Sequence, residues 1–499
     1  MKWIWSKFVD PIKGMLSSQS RFSRGLIAIL TGTALSRIIA FAAIPLLSRL
    51  FSPSDFGVFA LFGMTVSMGA TLVTWRYEAA IVIAEDDNKA ANLLGVTIGL
   101  TTITSLLIAA VFFVYARQIA LFFGAPEFEI WLLWSPVCIW ATGTFTALRL
   151  WNSRTGDFTA ISIARVADTG TMVLVQTGLG LMFRGMLSGL MFGPFIGRLM
   201  AALVLFWQTM KADGDLLRQS LNFRVAVKQA KRYARFPIYD LPASVLSSGS
   251  REIPTGVLGV FFSTQWVGFY SIAFRILSVP IQVVGGAIAQ VYLPVARDAN
   301  EAGRLDRFTL SIFDRLMGIS LAPMIMLAIV APEITSLLLG KAWFTAGELL
   351  RYLTPSLLLA FIASPLSEVY TIFERQSEKL VFNVAVFVTR LAALIVGGLL
   401  GNAIVAVILY SVAGSVFWIL QCFWLLRMCD INTITILRHI IAELAKISPL
   451  IIFVGGVQYL YNSPTKLLLA LLVGLGLFGV WRWKEFLGPG VGNLTGRTS

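Results

Sequence analysis

Apolar runs of about twenty residues recur from residue 25 to residue 483, and a run of that length is what a helix needs to cross the hydrocarbon of a bilayer. No other feature limits the fold as strongly. Inside a bilayer every backbone N–H and C=O must find a partner within the chain, which leaves helices or a closed barrel. Barrel strands are about 10 residues of alternating pattern, whereas these runs are unbroken. Only 13% of the residues are charged, about half the share in soluble domains. The expectation is an all-α polytopic membrane protein with about fourteen spans. They fall at 25–47, 56–74, 91–115, 130–148, 158–182, 187–208, 237–261, 266–292, 312–331, 349–372, 380–400, 402–425, 447–461 and 466–481.

Six arginines lie more than one helical turn inside these spans: Arg37, Arg165, Arg198, Arg251, Arg275 and Arg390. Each costs roughly 2.5–3.5 kcal/mol at mid-membrane on insertion scales. Six together imply a water-filled cavity for them to face, and fixed positive charge suits an anionic passenger. Snorkelling to an interface is the alternative for Arg275.

The net charge of +14 would suggest nucleic acid in a soluble chain. Here excess Lys and Arg is expected on cytoplasmic loops, so nucleic acid is not an expected partner. Placing the N-terminus inside puts most of the 40 basic residues in the tail and the even-numbered loops. The opposite side keeps Arg49, Arg117, Arg184, Lys341, Arg351 and Lys466. That skew puts both termini in the cytoplasm and supports an even number of spans. Cys138, Cys422 and Cys429 have no metal spacing, and the lone histidine, His439, falls in an expected loop. Histidine zinc sites and Ser-His-Asp chemistry are therefore not expected. No phosphate-cradling glycine loop of the Walker type is present, so ATP is not the direct energy source. The chain is expected to be a non-enzyme with no metal or cofactor, coupled at most to H+ or Na+.

The division runs as a basic segment 1–24, a six-helix bundle 25–208, a basic connector 209–236, a second bundle 237–425, a connector with two added spans 426–483, and a tail 484–499. Trp3, Ile4, Trp5 and Phe8 among Lys2, Lys7 and Lys13 suit either an interfacial segment or a disordered tail. An internal repeat supports the two bundles. Phe51-Ser52-Pro53-Ser54-Asp55-Phe56-Gly57-Val58-Phe59 parallels Phe262-Ser263-Thr264-Gln265-Trp266-Val267-Gly268-Phe269-Tyr270 at an offset of 211 residues. A weaker echo pairs Ser153–Asp157 with Glu374–Glu378 at an offset of 221, and Pro136 and Pro355 hold similar places in the fourth span of each half. Parallel repeats are related by an axis along the membrane normal, with substrate sites between them.

Arg165 and Asp168, three residues apart, share a helix face. They read as a charge pair on a cavity wall or as a structural ion pair. The seventh span carries Asp240, Arg251 and Glu252 with Pro237, Pro242 and Pro254, which suits a bendable gate. Asp240 and Arg251 share a face there, either as part of that gate and its coupling site or as headgroup contacts near opposite interfaces. Arg37 and Arg390, near the middles of their spans, are the strongest cavity candidates. Gly185, Gly189, Gly193 and Gly197 precede Arg198 in a row that suits helix packing. Arg37, Arg251, Arg275 and Arg390, with Arg165 and Arg198, are the candidate passenger contacts. Asp240, Asp168 and Glu252 are the candidate coupling carboxylates.

Gly32-Thr33-Ala34-Leu35-Ser36, Pro45 to Gly57, and Arg76-Tyr77-Glu78 with Ala80-Ile81 resemble the N-terminal signature of Wzx-type polysaccharide flippases. Phe236-Pro237, Pro242-Ala243 and Val267-Gly268-Phe269-Tyr270-Ser271-Ile272-Ala273, with Pro280, resemble its second-half counterpart. The likeness covers roughly residues 25–425. It implies a V-shaped pair of six-helix bundles of the multidrug/oligosaccharidyl-lipid/polysaccharide exporter superfamily. It also implies an activity, turning undecaprenyl-diphosphate-linked oligosaccharide from the inner to the outer leaflet of the bacterial inner membrane by alternating access, often as an antiporter. The product would feed lipopolysaccharide or exopolysaccharide synthesis, with the polysaccharide polymerase and chain-length machinery as partners beside membrane lipids. A multidrug exporter or lipid II flippase of the same superfamily is the alternative. A membrane polymerase or acyltransferase fits less well, since the outer loops are short.

Overall fold

The computed structural model describes residues 21–183, 185–461 and 463–487, so the amphipathic segment expected around Trp3–Phe8 lies outside the described residues. Among those described there is no strand. The chain divides into two compact units, Met1–Gly268 and Phe269–Ser499.

In the first unit, α1 (Arg21–Leu50), α2 (Pro53–Val73), a short α3 (Tyr77–Ile83), α4 (Asp87–Phe122), α5 (Phe128–Thr155), α6 (Phe158–Met182) and α7 (Leu187–Ser220) are followed by a surface helix α8 (Phe223–Arg232). A π turn at Phe236–Asp240 leads into α9 (Leu241–Phe261), and the boundary falls inside α10 (Thr264–Pro280). The second unit continues through a π turn at Ile281–Gly285 into α11 (Gly286–Glu301), α12 (Leu305–Leu339), α13 (Phe344–Leu366), the single turn α14 (Val369–Ile372), α15 (Gln376–Leu399), α16 (Ala403–Met428), α17 (Thr433–Tyr461) and α18 (Pro464–Leu487).

Among the described residues, twelve helices are long and apolar enough to span a membrane. The two further expected spans are helical but fall short of that test. The α9 helix is diluted by Arg251, Glu252 and its serines, and α10 stops at 17 residues, where the π turn takes over. The added pair, α17 and α18, packs on α12. Several helices outrun the expected spans, because nothing in the sequence stops a helix at the bilayer edge. Thus α7 continues to Ser220 rather than 208, which shortens the connector. The α17 helix starts at Thr433 rather than 447. His439 therefore sits on a helix, not in a loop, and its Nδ1 lies 2.9 Å from Asp314.

Local signals explain the turn between α1 and α2. Ser52 and Asp55 form a reciprocal capping box ahead of α2, with Pro53 at its first position; this arrangement satisfies two otherwise orphaned N–H groups. The repeat found in the sequence has a structural counterpart here, because its two copies touch. A Cβ on Gly57 would lie 1.7 Å from the Thr264 carbonyl oxygen, and a Cβ on Gly268 would lie 1.8 Å from that of Pro53. Residues 53 and 264, like 57 and 268, are separated by the repeat offset of 211. The contact is therefore reciprocal: each glycine lies over the carbonyl that begins the other copy's helix. Ser54 Oγ and Thr264 Oγ1 share a hydrogen bond at 2.5 Å beside it. The weaker echo is out of register. The corresponding turns have their left-handed residue at Gly156 and at Glu374, an offset of 218 rather than 221.

Gly189, Gly193 and Gly197 of α7 pack against α6 as expected, whereas Gly185 precedes the helix at φ +76° and lies against the Leu50 carbonyl. Space for a side chain at Gly193 is taken by Gln176 and the Met172 carbonyl, and at Gly197 by the Asp168 carbonyl. The inner core of this unit gathers Tyr77, Ile81, Leu93, Phe145, Leu148, Trp151, Leu205 and Leu217. In the second unit α13 is buried on most of its length between α12 and α16.

Candidate functional site

Helices α1, α5 and α6 bring three arginines together in the first unit. Arg165 of α6 donates from Nη1 to Thr33 Oγ1 of α1 at 2.5 Å. Arg37 lies one turn beyond Thr33 on α1, and its charge acts on Arg165. Arg165 acts in turn on Arg149 of α5. None of the three makes an ion pair with a described carboxylate. Arg37 is exposed and the other two are half-buried. Like charges so placed repel, and a bound anion relieves that repulsion. A guanidinium offers a planar fork of donors suited to phosphate oxygens.

Arg149 was not among the expected site residues, because the fourth span was expected to end at residue 148. The helix instead runs on to Thr155, where Gly156 at φ +80° ends it. That glycine was the signal available in the sequence.

Arg165 does not pair with Asp168. Asp168 instead meets Arg198 of α7 at 2.9 Å, on the glycine-lined contact between α6 and α7. Close approach of the two backbones, rather than spacing along one helix, selects the partner.

Asp240 and Arg251 are not partners either. Asp240 lies in the π turn before α9 and takes Arg76 Nε at 2.7 Å. Arg251 is exposed and donates to Ser247 and Ser248 of its own helix at 3.1 Å. Glu252 is half-buried and hydrogen-bonded to Ser67 of α2, in a polar seam where Thr71 and Ser248 hydroxyls also meet at 3.3 Å.

The Arg76-Tyr77-Glu78 motif forms the inner end of this seam. Arg76 bridges Asp240 and Glu78, the latter at 2.8 Å. Glu78 is only 2% exposed, its second oxygen has no hydrogen-bond partner, and its charge also acts on Arg149. Trp75 and Arg76 both have positive φ, +52° and +61°, costing of order 1–3 kcal/mol each. The Trp75 indole, donating to Thr104 Oγ1 at 2.9 Å, and the two ion pairs of Arg76 offset that cost. Sequence reasoning left Glu78 out of the site, since its burial depends on α4 and α5 packing over it.

In the second unit Arg390 of α15 is enclosed. It donates to Ser356 Oγ of α13 at 2.8 Å. Its guanidinium lies 4.9 Å from the Tyr410 ring centroid and 5.7 Å from that of Trp418. Gly414 leaves the room it occupies, so cation–π contacts take the place of a carboxylate. Arg275 is half-buried on α10. A mainly apolar cavity of about 450 Å³ is lined by Ile325, Ile329, Thr354, Leu358 and Gln458, with Arg351 on its wall. Arg351 is occupied by the backbone. It donates to the carbonyls of Ala328 and Ile329 at 3.1 and 2.7 Å. Pro332, four residues after Ala328, has no N–H to offer that first carbonyl. Among the described residues no cluster of carboxylate, His and Cys side chains suits a metal ion.

A family model described as polysaccharide biosynthesis protein matches residues 46–348. The chain belongs to that family. The matched stretch holds the Arg76-Tyr77-Glu78 motif, both copies of the repeat and the arginine cluster apart from Arg37. No curated protein matches the sequence. Among solved structures it is similar to the lipid II flippase MurJ in an inward closed conformation. That match has a TM-score of 0.73 at 15% identity, covering 92% of this chain and 100% of the other. It is also similar to an inward-facing multidrug resistance MATE family transporter of the MOP superfamily, with a TM-score of 0.63 at 17% identity, covering 81% and 100%. At such identities the likeness is one of fold. The family member is thus an all-helical, multi-pass membrane protein with the fold of membrane transporters.

Proposed function

We propose that this protein is a flippase for lipid-linked oligosaccharide. It carries undecaprenyl-diphosphate-linked repeat units from the cytoplasmic to the outer leaflet of the bacterial inner membrane by alternating access, with both termini in the cytoplasm. The observation that carries the reading is the cluster of Arg37, Arg149 and Arg165, held together without a neutralising carboxylate in direct contact. Holding like charges close together costs free energy unless something anionic joins them, and a diphosphate brings two charges and several acceptor oxygens. Arg275 and Arg251 are further candidate contacts as the passenger moves. Glu252, half-buried in the α2–α9 seam, is the carboxylate best placed for H+ or Na+ coupling. Asp168 and Asp240 already hold arginines in this state and would have to release them first.

Deleting the gene in the source bacterium tests this. Mass spectrometry of undecaprenyl-linked lipids and an immunoblot of surface glycan are the readouts. Accumulated repeat units with loss of surface polymer support flipping and identify the sugar. Unchanged lipids and glycan, with altered sensitivity to small cationic drugs, would reject it in favour of drug export.

A further inference from the structure

Helix α8 carries more charge and more exposed apolar surface than its packing uses. Its inner face is fixed. Gln229 is buried, Ala230 and Tyr233 pack on the inner core, and Tyr77 Oη donates to the Ala230 carbonyl at 3.0 Å. Asn92 of α4 pins the start of the helix. It donates to the Ser220 carbonyl at 2.8 Å and accepts from the Asn222 N–H at 2.9 Å. Asn222 itself caps α8 through Arg224 N and Val225 N.

The outer face is unpartnered. Phe223 is 84% exposed, and Val227 one turn on is exposed too. Phe223 and Val227, four residues apart, form one ridge. Arg224, Lys228, Lys231 and Arg235 are exposed and make no ion pair among the described residues. Arg232 differs, being tied to Glu85. Water solvates four cations readily, but an exposed phenylalanine ridge alongside them is what an interfacial helix presents to a bilayer. The helix follows α7 and precedes α9, so it lies at a membrane end of the first unit.

We propose that α8 is a binding surface for anionic phospholipid headgroups. The Phe223–Val227 ridge enters the headgroup boundary, and Arg224, Lys228, Lys231 and Arg235 contact lipid phosphates. Through Tyr77 the same helix is bonded to the residue between Arg76 and Glu78, so bound lipid steadies the inner end of the α2–α9 seam.

The test uses full-length protein with a photo-crosslinking benzoyl-phenylalanine at Val227. It is reconstituted in phosphatidylcholine nanodiscs with and without phosphatidylglycerol, and the adducts are identified by mass. Phosphatidylglycerol adducts should exceed their share of the bilayer. Each cation at an anionic surface contributes about 5-fold, so the excess should disappear in the R224Q/K228Q/K231Q/R235Q variant. Phe223→Ser should lower the yield of all lipid adducts while keeping the preference for anionic lipid. Adducts that track bulk lipid composition overturn the proposal. So does an unchanged preference in the four-site variant, an undiminished yield in Phe223→Ser, or crosslinking to protein in place of lipid.

Discussion

Arg165 and Asp168 show how a residue's role depends on what faces it. Both lie on α6, yet Asp168 is engaged by Arg198 while Arg165 turns to Thr33 and the other arginines. Replacing them should have different consequences. Arg165→Ala or Arg149→Ala should leave the protein abundant and abolish most glycan export, read from accumulated lipid-linked intermediate. Asp168→Asn leaves Arg198 without its counter-charge in a partly exposed site, at a cost of about 1–3 kcal/mol. It should appear as a lower melting temperature in detergent, whether or not transport is coupled to an ion. Arg351 makes a third case. Its contacts replace a hydrogen bond that Pro332 cannot make. Arg351→Ala should cost about 1.5–3 kcal/mol in the native background and much less beside Pro332→Ala, whose restored N–H can reach the Ala328 carbonyl. A thermal-melt double-mutant cycle measures that difference.

The reciprocal contact between the repeat copies belongs to the scale of elements. An added methyl at Gly57 or Gly268 meets backbone rather than a movable side chain. Gly57→Ala or Gly268→Ala should therefore cost about 1–3 kcal/mol or more by overpacking. Both act on one contact, so the double variant should melt close to the worse single variant rather than at the sum. The loop before α4 gives a pH prediction. Hydrogen bonds from Lys89 and then Arg232 hold the Glu85 carboxyl below its ordinary value. A carboxylate lowered in this way supports the fold above its unfolded pKa, and that support is lost as pH falls through the folded value. The tether from Glu85 to α8 should survive mild acid and release only below the usual carboxylate range. Hydrogen exchange in α8 followed against pH reads the release, and Glu85→Gln should already show it at neutral pH.

At the scale of the whole molecule, α17 and α18 belong to the fold of the second unit. They cover α12, and Arg482 of α18 reaches the buried Glu443 of α17 beside Gly318 of α12. A chain ended after residue 432 should leave that face of α12 uncovered and accumulate poorly in membranes, measured by immunoblot of the membrane fraction. The spans, their approximate order, the repeat and the family were legible in the sequence, because hydropathy over twenty residues, capping chemistry at Ser52–Asp55 and glycine spacing are local properties. Helix ends were less legible, as α5 and α17 show, since a helix continues until a residue such as Gly156 stops it. The partners of the intramembrane charges were not legible at all. Arg198 with Asp168, Arg76 with Asp240, and Arg390 between Tyr410 and Trp418 join residues on different helices. Such contacts are chosen by how closely two backbones approach and at what register. The sequence by itself determined a bundle of membrane helices with charges that need a reason. Only tertiary packing decided which of those charges meet a counter-charge within the protein, and which, at Arg37, Arg149 and Arg165, have no carboxylate ion pair among the described residues.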